Sequence, residues 1–248
     1  MIQFMKKILA LIVSVVAVSS CLGGSAFSDS YTSYATFEYA DDYNKRFGED
    51  SLYVETEFKV GFAWADYLAF GHKLDEDNEL EGGFLLSYLS VPESGNTENL
   101  ENNIYRANQT YSPPGKNTYV VFYKSVNMPE RHFWFNYVQG EIKGTCTPQF
   151  VRVNNSVAVI EAIKKSFDNG DTMTLKATGF LGENRTGEAQ IRLAEKDSVI
   201  SSWTVFELSQ LGVVDRVNFD IILPEDSEIP QVVCMDDFTA SLAFTADN

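Results

Sequence analysis

The stretch from Trp203 to Phe244, WTVFELSQLGVVDRVNFDIILPEDSEIPQVVCMDDFTASLAF, constrains the fold of this chain more than any other. Trp203 and Val205 on one phase, and Phe206 and Leu208 on the other, begin an apolar alternation that Leu211-Gly212 breaks with a turn. Val213, Val214, Val217, Phe219, Ile221 and Leu223 resume it at period two, as a strand lying between a core and solvent requires. Pro224-Glu225-Asp226 ends that run, because proline has no N–H for a ladder and the acids favour water. Val232, Cys234, Phe238, Leu242 and Phe244 then give a last strand, so the stretch reads as two strands of a β-sandwich with a loop between them. Asp236-Asp237 sits inside that last apolar run. A buried charge is costly unless it is paired or binds a metal, so this pair demands a partner.

The rest of the chain continues the pattern. Phe37-Glu38 lies on an expected first strand. Tyr53 and the series Val54, Thr56, Phe58, Val60 alternate as another, leading into an aromatic-rich loop or edge at Trp64. Residues 72–81 read as an acidic loop, Gly82-Gly83-Phe84 as a strand start, and 92–103 and 105–114 as loops. Residues 117–126 and 131–138 are each expected as one strand, the second with aromatics on both faces. Residues 150–160 continue the strand pattern, while Val159, Ala162, Ile163 and Phe167 have helical spacing. That spacing predicts a short helix ended by Asn169-Gly170. Residues 172–178 and 189–194 alternate as strands about a turn region at 182–187. Many short strands, one short helix and regular turns predict an all-β, jelly-roll-like antiparallel β-sandwich.

The chain opens with MIQFMKKILALIVSVVAVSS. Lys6 and Lys7 form a basic head, and the apolar run from Ile8 to Val18 is too short to span a bilayer. Small residues then precede Cys21, which resembles a bacterial lipoprotein signal cut before a cysteine that becomes lipidated. The alternative is an ordinary secretory signal cut near Ala26. The expected organisation is a signal peptide at 1–20, a lipidated Cys21 with a flexible tether at 21–30, and one sandwich domain at 31–248. The tether has no basic residues, so the lipid is the whole membrane anchor.

The formal charge is −16, and loss of Lys6 and Lys7 makes it two units more negative. A chain this acidic offers no basic patch to neutralise phosphates, which argues against nucleic acid as a partner. Beyond Cys21 only Cys146 and Cys234 remain; an exported protein can pair them, and apolar strands can equally pack them as free thiols.

The chain has no Gly-x-Ser-x-Gly elbow, His-Glu-x-x-His, P-loop, Rossmann fingerprint or Cys-x-x-Cys. It has two histidines; His132 is expected to pack within an aromatic strand and His72 to be solvated beside the acidic loop. With 35 acids a glycosidase pair is not ruled out, but nothing singles one out. The expectation is a non-catalytic protein. Trp64, Tyr67, Tyr88, Tyr105, Tyr111, Trp134 and Tyr137 lie near loops and suit a flat, partly polar ligand. Glu38, Asp236 and Asp237 form a candidate structural Ca²⁺ site, since carbohydrate-binding jelly rolls commonly join an early Phe-Glu to a late Asp-Asp at calcium.

Taken in order, several of these pieces resemble a bacterial lipoprotein family, domain-of-unknown-function family 4465. They are Gly82-Gly83-Phe84, Asn117 to Val121, Gly170-Asp171 before Leu175, Leu193-Ala194, Trp203 to Gly212, and Met235-Asp236-Asp237-Phe238. The chain departs from the family at Thr172-Met173, where an aromatic is usual, and at Glu195-Lys196, where Asp-Tyr is common. The resemblance implies a jelly-roll-like sandwich exported by Bacteroides-type bacteria and held at the outer-membrane surface. It further implies capture of a cobamide (vitamin B12) beside an outer-membrane transporter; the sharper reading of His72 or His132 is then a ligand contact, for instance to the cobalt. A carbohydrate-binding surface module and a structural or adhesive surface protein are the alternatives.

Overall fold

The computed structural model describes residues 27–35, 37, 52–53, 57–62, 65–77, 80–87, 89, 91–92, 94–98, 100–108, 118–135, 138–139 and 142–246. The strands, in chain order, are β1 (Phe27–Ala35), β2 (Leu52–Tyr53), β3 (Glu57–Phe62), β4 (Ala65–Leu74), β5 (Leu80–Ser87), β6 (Tyr119–Tyr123), β7 (Phe133–Phe135), β8 (Val138–Gln139) and β9 (Ile142–Asn154). Helix α1 (Val157–Ser166) follows, then β10 (Thr172–Leu181), β11 (Asn184–Glu195), β12 (Ser198–Val199), β13 (Thr204–Glu207), β14 (Arg216–Ile222) and β15 (Val232–Ala246). Every strand pairing is antiparallel, and the path β12-β11-β10-β14-β7-β4-β5-β6-β15-β9-β13 curls into the expected all-β sandwich.

β4 carries the sheet from one layer to the other. Leu68–Phe70 pair with β7, whereas His72 and Lys73 pair with β5. Gly71 stands at the change, where its N–H donates to the His132 carbonyl at 2.9 Å. Opposite it, Gly83 has φ 100° and leaves room for the Gly71 carbonyl, which a Cβ would meet at 2.3 Å.

The core lies between the layers and is rich in phenylalanine. Phe84 and Phe122 from one layer meet Phe219 from the other at 6.0 and 5.8 Å between ring centroids. Phe133 meets Phe238 at 4.4 Å. Burying each such ring contributes about 1.5–3 kcal/mol, and the tilted contacts add to it. The period-two reading of β14 holds, with Val217, Phe219 and Ile221 buried. In β13 the inward phase is Phe206; Val205 is exposed.

Helix α1 starts where Ser156 caps it, its hydroxyl accepting from the Val159 N–H at 3.3 Å. Val159, Ile160 and Ile163 face the core. The helix therefore takes over residues 157–160, which the sequence extended as strand, because the cap and the 3.6 period win once β9 ends at Asn154.

Other boundaries move too. The stretch from Trp203 onward holds three strands, since β13 is separated from β14 by a 3-10 turn at Ser209–Leu211. β10 and β11 run to a tight hairpin at Gly182-Glu183, so most of the expected 182–187 turn region is strand. The expected strand at 131–138 is two short pieces with different partners, β7 on β4 and β14 and β8 on β9. The acidic loop at 72–81 shrinks to a turn, because β4 reaches Leu74 and β5 begins at Leu80. β1 pairs with β15 from Phe27 onward, inside the segment assigned to the tether. Met1, Lys6, Lys7 and Cys21 lie outside the described residues.

Candidate functional site

The two histidines lie inside the fold. His72 keeps 4% of its surface exposed, and its Nδ1 is 2.7 Å from the Phe84 carbonyl. This overturns the solvated reading: the layer change at Gly71 turns His72 inward over Gly83. His132 keeps 9% exposed. Its Nδ1 accepts from the Phe219 N–H at 2.9 Å, and its ring tilts against Phe122 at 5.6 Å. Burial pushes its pKa down to about 4, against the weaker opposite pull of Asp220. The imidazole is therefore a neutral core acceptor, and neither ring lies at a surface where a cobalt was expected to meet it.

The aromatic set is only partly placed. Trp64, Tyr88, Tyr111 and Tyr137 lie outside the described residues, as does the side chain of Tyr67 on β4. Tyr105 is half-buried where β5 ends, and its carbonyl accepts from Ser87 Oγ at 3.0 Å. Trp134 is half-buried on β7, in the other layer from Tyr105, with Ala69 and Arg216 as its ladder partners. The aromatic the sequence missed is Tyr119. It is fully buried, its hydroxyl donates to the Leu89 carbonyl at 2.7 Å and accepts from the Ala107 N–H at 2.9 Å, and burial drives its pKa far up. It therefore ties the loops to β6 rather than offering a ring to a ligand.

Asp236-Asp237 forms a bulge in the β15 ladder. The pairing with β9 shifts register between Asp236 and Thr239, and Asp237 has φ 50°. Asp236 is buried and its Oδ1 accepts from the Asp237 N–H at 2.8 Å. Asp237 Oδ2 lies 3.0 Å from Arg152 Nε. The guanidinium thus supplies at Asp237 the positive charge that a calcium ion was expected to supply, and it would repel one. Among the described residues no group of three or more His, Cys, Asp or Glu converges as a metal site; Glu38 lies outside them.

Cys146 and Cys234 are free and buried. In the β9–β15 ladder Cys146 faces Leu242, whereas Cys234 faces Asn154. They are thus eight positions apart, about 27 Å along a strand, where a disulfide needs Cα atoms within about 7 Å.

A cleft of about 360 Å³ opens where β14 ends and the chain loops back to β15. Lys124 reaches into it from just beyond β6. Its Nζ lies 2.6 Å from Asp220 Oδ1 and donates to the Ile221 carbonyl at 2.7 Å. Ile222, Pro224, Asp226, Ser227 and Gln231 complete the wall. A type II-like turn shapes the loop, with the Ser227 N–H on the Pro224 carbonyl at 3.3 Å and Asp226 at φ 61°. Sequence reasoning saw this loop only as the end of a strand. Its one usable signal was a lysine directly after the apolar run of β6.

Two solved structures share this fold. A DUF4465 family protein from Bacteroides caccae ATCC 43185 superposes with a TM-score of 0.62 at 20% identity, covering 85% of this chain and 98% of its own. A DUF4465 family protein from Bacteroides ovatus ATCC 8483 gives 0.57 at 17% identity, covering 86% and 99%. No family model and no curated protein matches the chain.

Proposed function

We propose that this chain belongs to the same family as those two proteins and is a non-catalytic, lipid-anchored surface lipoprotein that captures a nutrient, a cobamide, for an outer-membrane transporter. The observation that carries this reading is the likeness of fold over 85% of the chain and nearly the whole length of the Bacteroides caccae protein. It agrees with the order of short motifs from Gly82-Gly83-Phe84 to Met235-Asp236-Asp237-Phe238. The leader ending at Cys21 supports export and lipidation. The absence of a catalytic role is supported by the histidines: both are held inside the sandwich against main-chain partners, where neither can serve a surface nucleophile. The ligand surface then falls to the remaining aromatics of the set, of which Tyr105 and Trp134 are placed, in different layers, rather than to an imidazole on cobalt.

The test is a calorimetric titration of residues 22–248 with cyanocobalamin. Saturable one-to-one binding, weakened by Trp134→Ala, is the expected result. No heat at micromolar protein removes the cobamide.

A further inference from the structure

We propose that the cleft between Lys124 and the 223–231 loop binds a single pyranose ring of a neutral glycan. Three properties of the cleft select this chemistry. The first is size. Pockets that hold small molecules begin at about 300 Å³, so a cleft of about 360 Å³ admits one ring and excludes a corrin macrocycle. This site is therefore separate from any cobamide surface, and neither reading depends on the other.

The second is the pairing of polar groups. Asp220 is an acceptor and Lys124 a donor, 2.6 Å apart. Two of the three ammonium hydrogens serve Asp220 and the Ile221 carbonyl, and the third is left for a ligand. A hydroxyl both donates and accepts, so two neighbouring ring hydroxyls satisfy this pair together. A free anion meets Asp220 and Asp226, and a free cation meets Lys124. A neutral polyol meets no such opposition.

The third is the apolar edge. Ile222 is 42% exposed on the outward face of β14 and stands beside Pro224 in the lining. A pyranose presents one face of C–H groups, which such an edge covers while the hydroxyls turn to Asp220 and Lys124. Asp220 also stands on the outward face of the sheet. There Lys176 and Gln190 continue the row of Asp220, and Thr178 lies opposite Asn218 in the next row. A longer glycan would run along these hydrogen-bonding rows.

The test uses the full chain in a detergent without sugar headgroups. Methyl glycosides of glucose, galactose, mannose and N-acetylglucosamine are screened by saturation-transfer NMR, and binders are titrated. At least one is expected to bind saturably. Asp220→Asn should weaken it about tenfold or more, the weight of one charge-assisted hydrogen bond. Ile222→Ser, an exposed change that leaves the charges in place, should weaken it as well. Glu183→Gln, exposed in the hairpin turn between β10 and β11, should not. The proposal is overturned if no glycoside binds, or if Asp220→Asn and Ile222→Ser both retain wild-type affinity with unchanged melting temperatures. A response to inorganic phosphate in place of the glycosides also overturns it.

Discussion

Replacing Gly83 by alanine tests the layer change on which this sandwich depends. Gly83 has φ 100°, which an L side chain resists at a cost of about 1–2 kcal/mol. The added Cβ would also lie 2.3 Å from the Gly71 carbonyl oxygen and 2.6 Å from His72 Cα. Both are main-chain atoms in the facing strand, so the clash cannot be relieved by a rotamer. Forced overpacking of that kind costs roughly another 1–3 kcal/mol. The expected destabilisation of Gly83→Ala is thus about 2–5 kcal/mol. Two controls separate the contributions. Gly170 has φ 98° with nothing within 4 Å of its Cβ position, so Gly170→Ala should show the backbone cost alone. Gly82→Ala has an ordinary φ and meets chiefly Ser125 Oγ and Met128 Sδ, side-chain atoms that can move, and should cost least. Urea unfolding followed by tryptophan fluorescence and circular dichroism measures all three at a common slope. If Gly83→Ala falls within about 0.5 kcal/mol of Gly170→Ala, the close approach of β4 and β5 does not have the weight argued for it.

His132 gives a pH signature. Its pKa falls from 6.5 to about 4 on folding, so between those values the unfolded chain binds a proton that the fold refuses. Stability should be intact above pH 6.5 and decline by about 3 kcal/mol as pH falls to 4, and His132→Gln should flatten that segment of the curve. Burial raises both cysteine thiols, Cys146 to about 12, so Ellman's reagent should label neither in the folded protein and both in urea; fast labelling of either would refute their burial. Arg152 already neutralises Asp237, so calcium should leave the melting temperature where a chelator leaves it; a rise that Asp237→Ala abolishes would support a calcium site there instead. Asp226 holds φ 61° with its side chain exposed, so Asp226→Gly should stabilise by about 1 kcal/mol in thermal unfolding, and a loss would mean the carboxylate has a structural partner.

What the sequence made legible was local. β14 could be read because one face is core and the other water, so Val217, Phe219 and Ile221 alternate with Asn218 and Asp220. The helix could be read because Val159, Ala162, Ile163 and Phe167 recur at helical spacing, and three of them are buried. His72 was misread for the opposite reason. An acidic run begins three residues after it at Asp75, and only the close approach of Gly71 and Gly83 across two strands turns it inward. The cleft was hidden by distance, since Lys124 meets the Ile221 carbonyl from 97 residues away. Period reports which face of a strand is wet; it does not report which strand lies beside it.

The buried charges follow from the same distinction. Asp236-Asp237 signalled from sequence that a charge needs a partner within an apolar run, and that inference was sound. The partner's identity depends on register. β9 runs opposite β15 and sets Arg152 against Asp236, and the bulge after that pair swings Asp237 out to the guanidinium. A calcium ion was the expectation because carbohydrate-binding jelly rolls commonly join an early Phe-Glu to a late Asp-Asp at one. In the fold an arginine on the neighbouring strand supplies that charge at Asp237. Asp220, on β14 in the facing layer, repeats the arrangement with Lys124 at 2.6 Å. There the pair faces an open cleft instead of a bulge, and that difference in surroundings is what makes one pair structural and the other a place for a ligand.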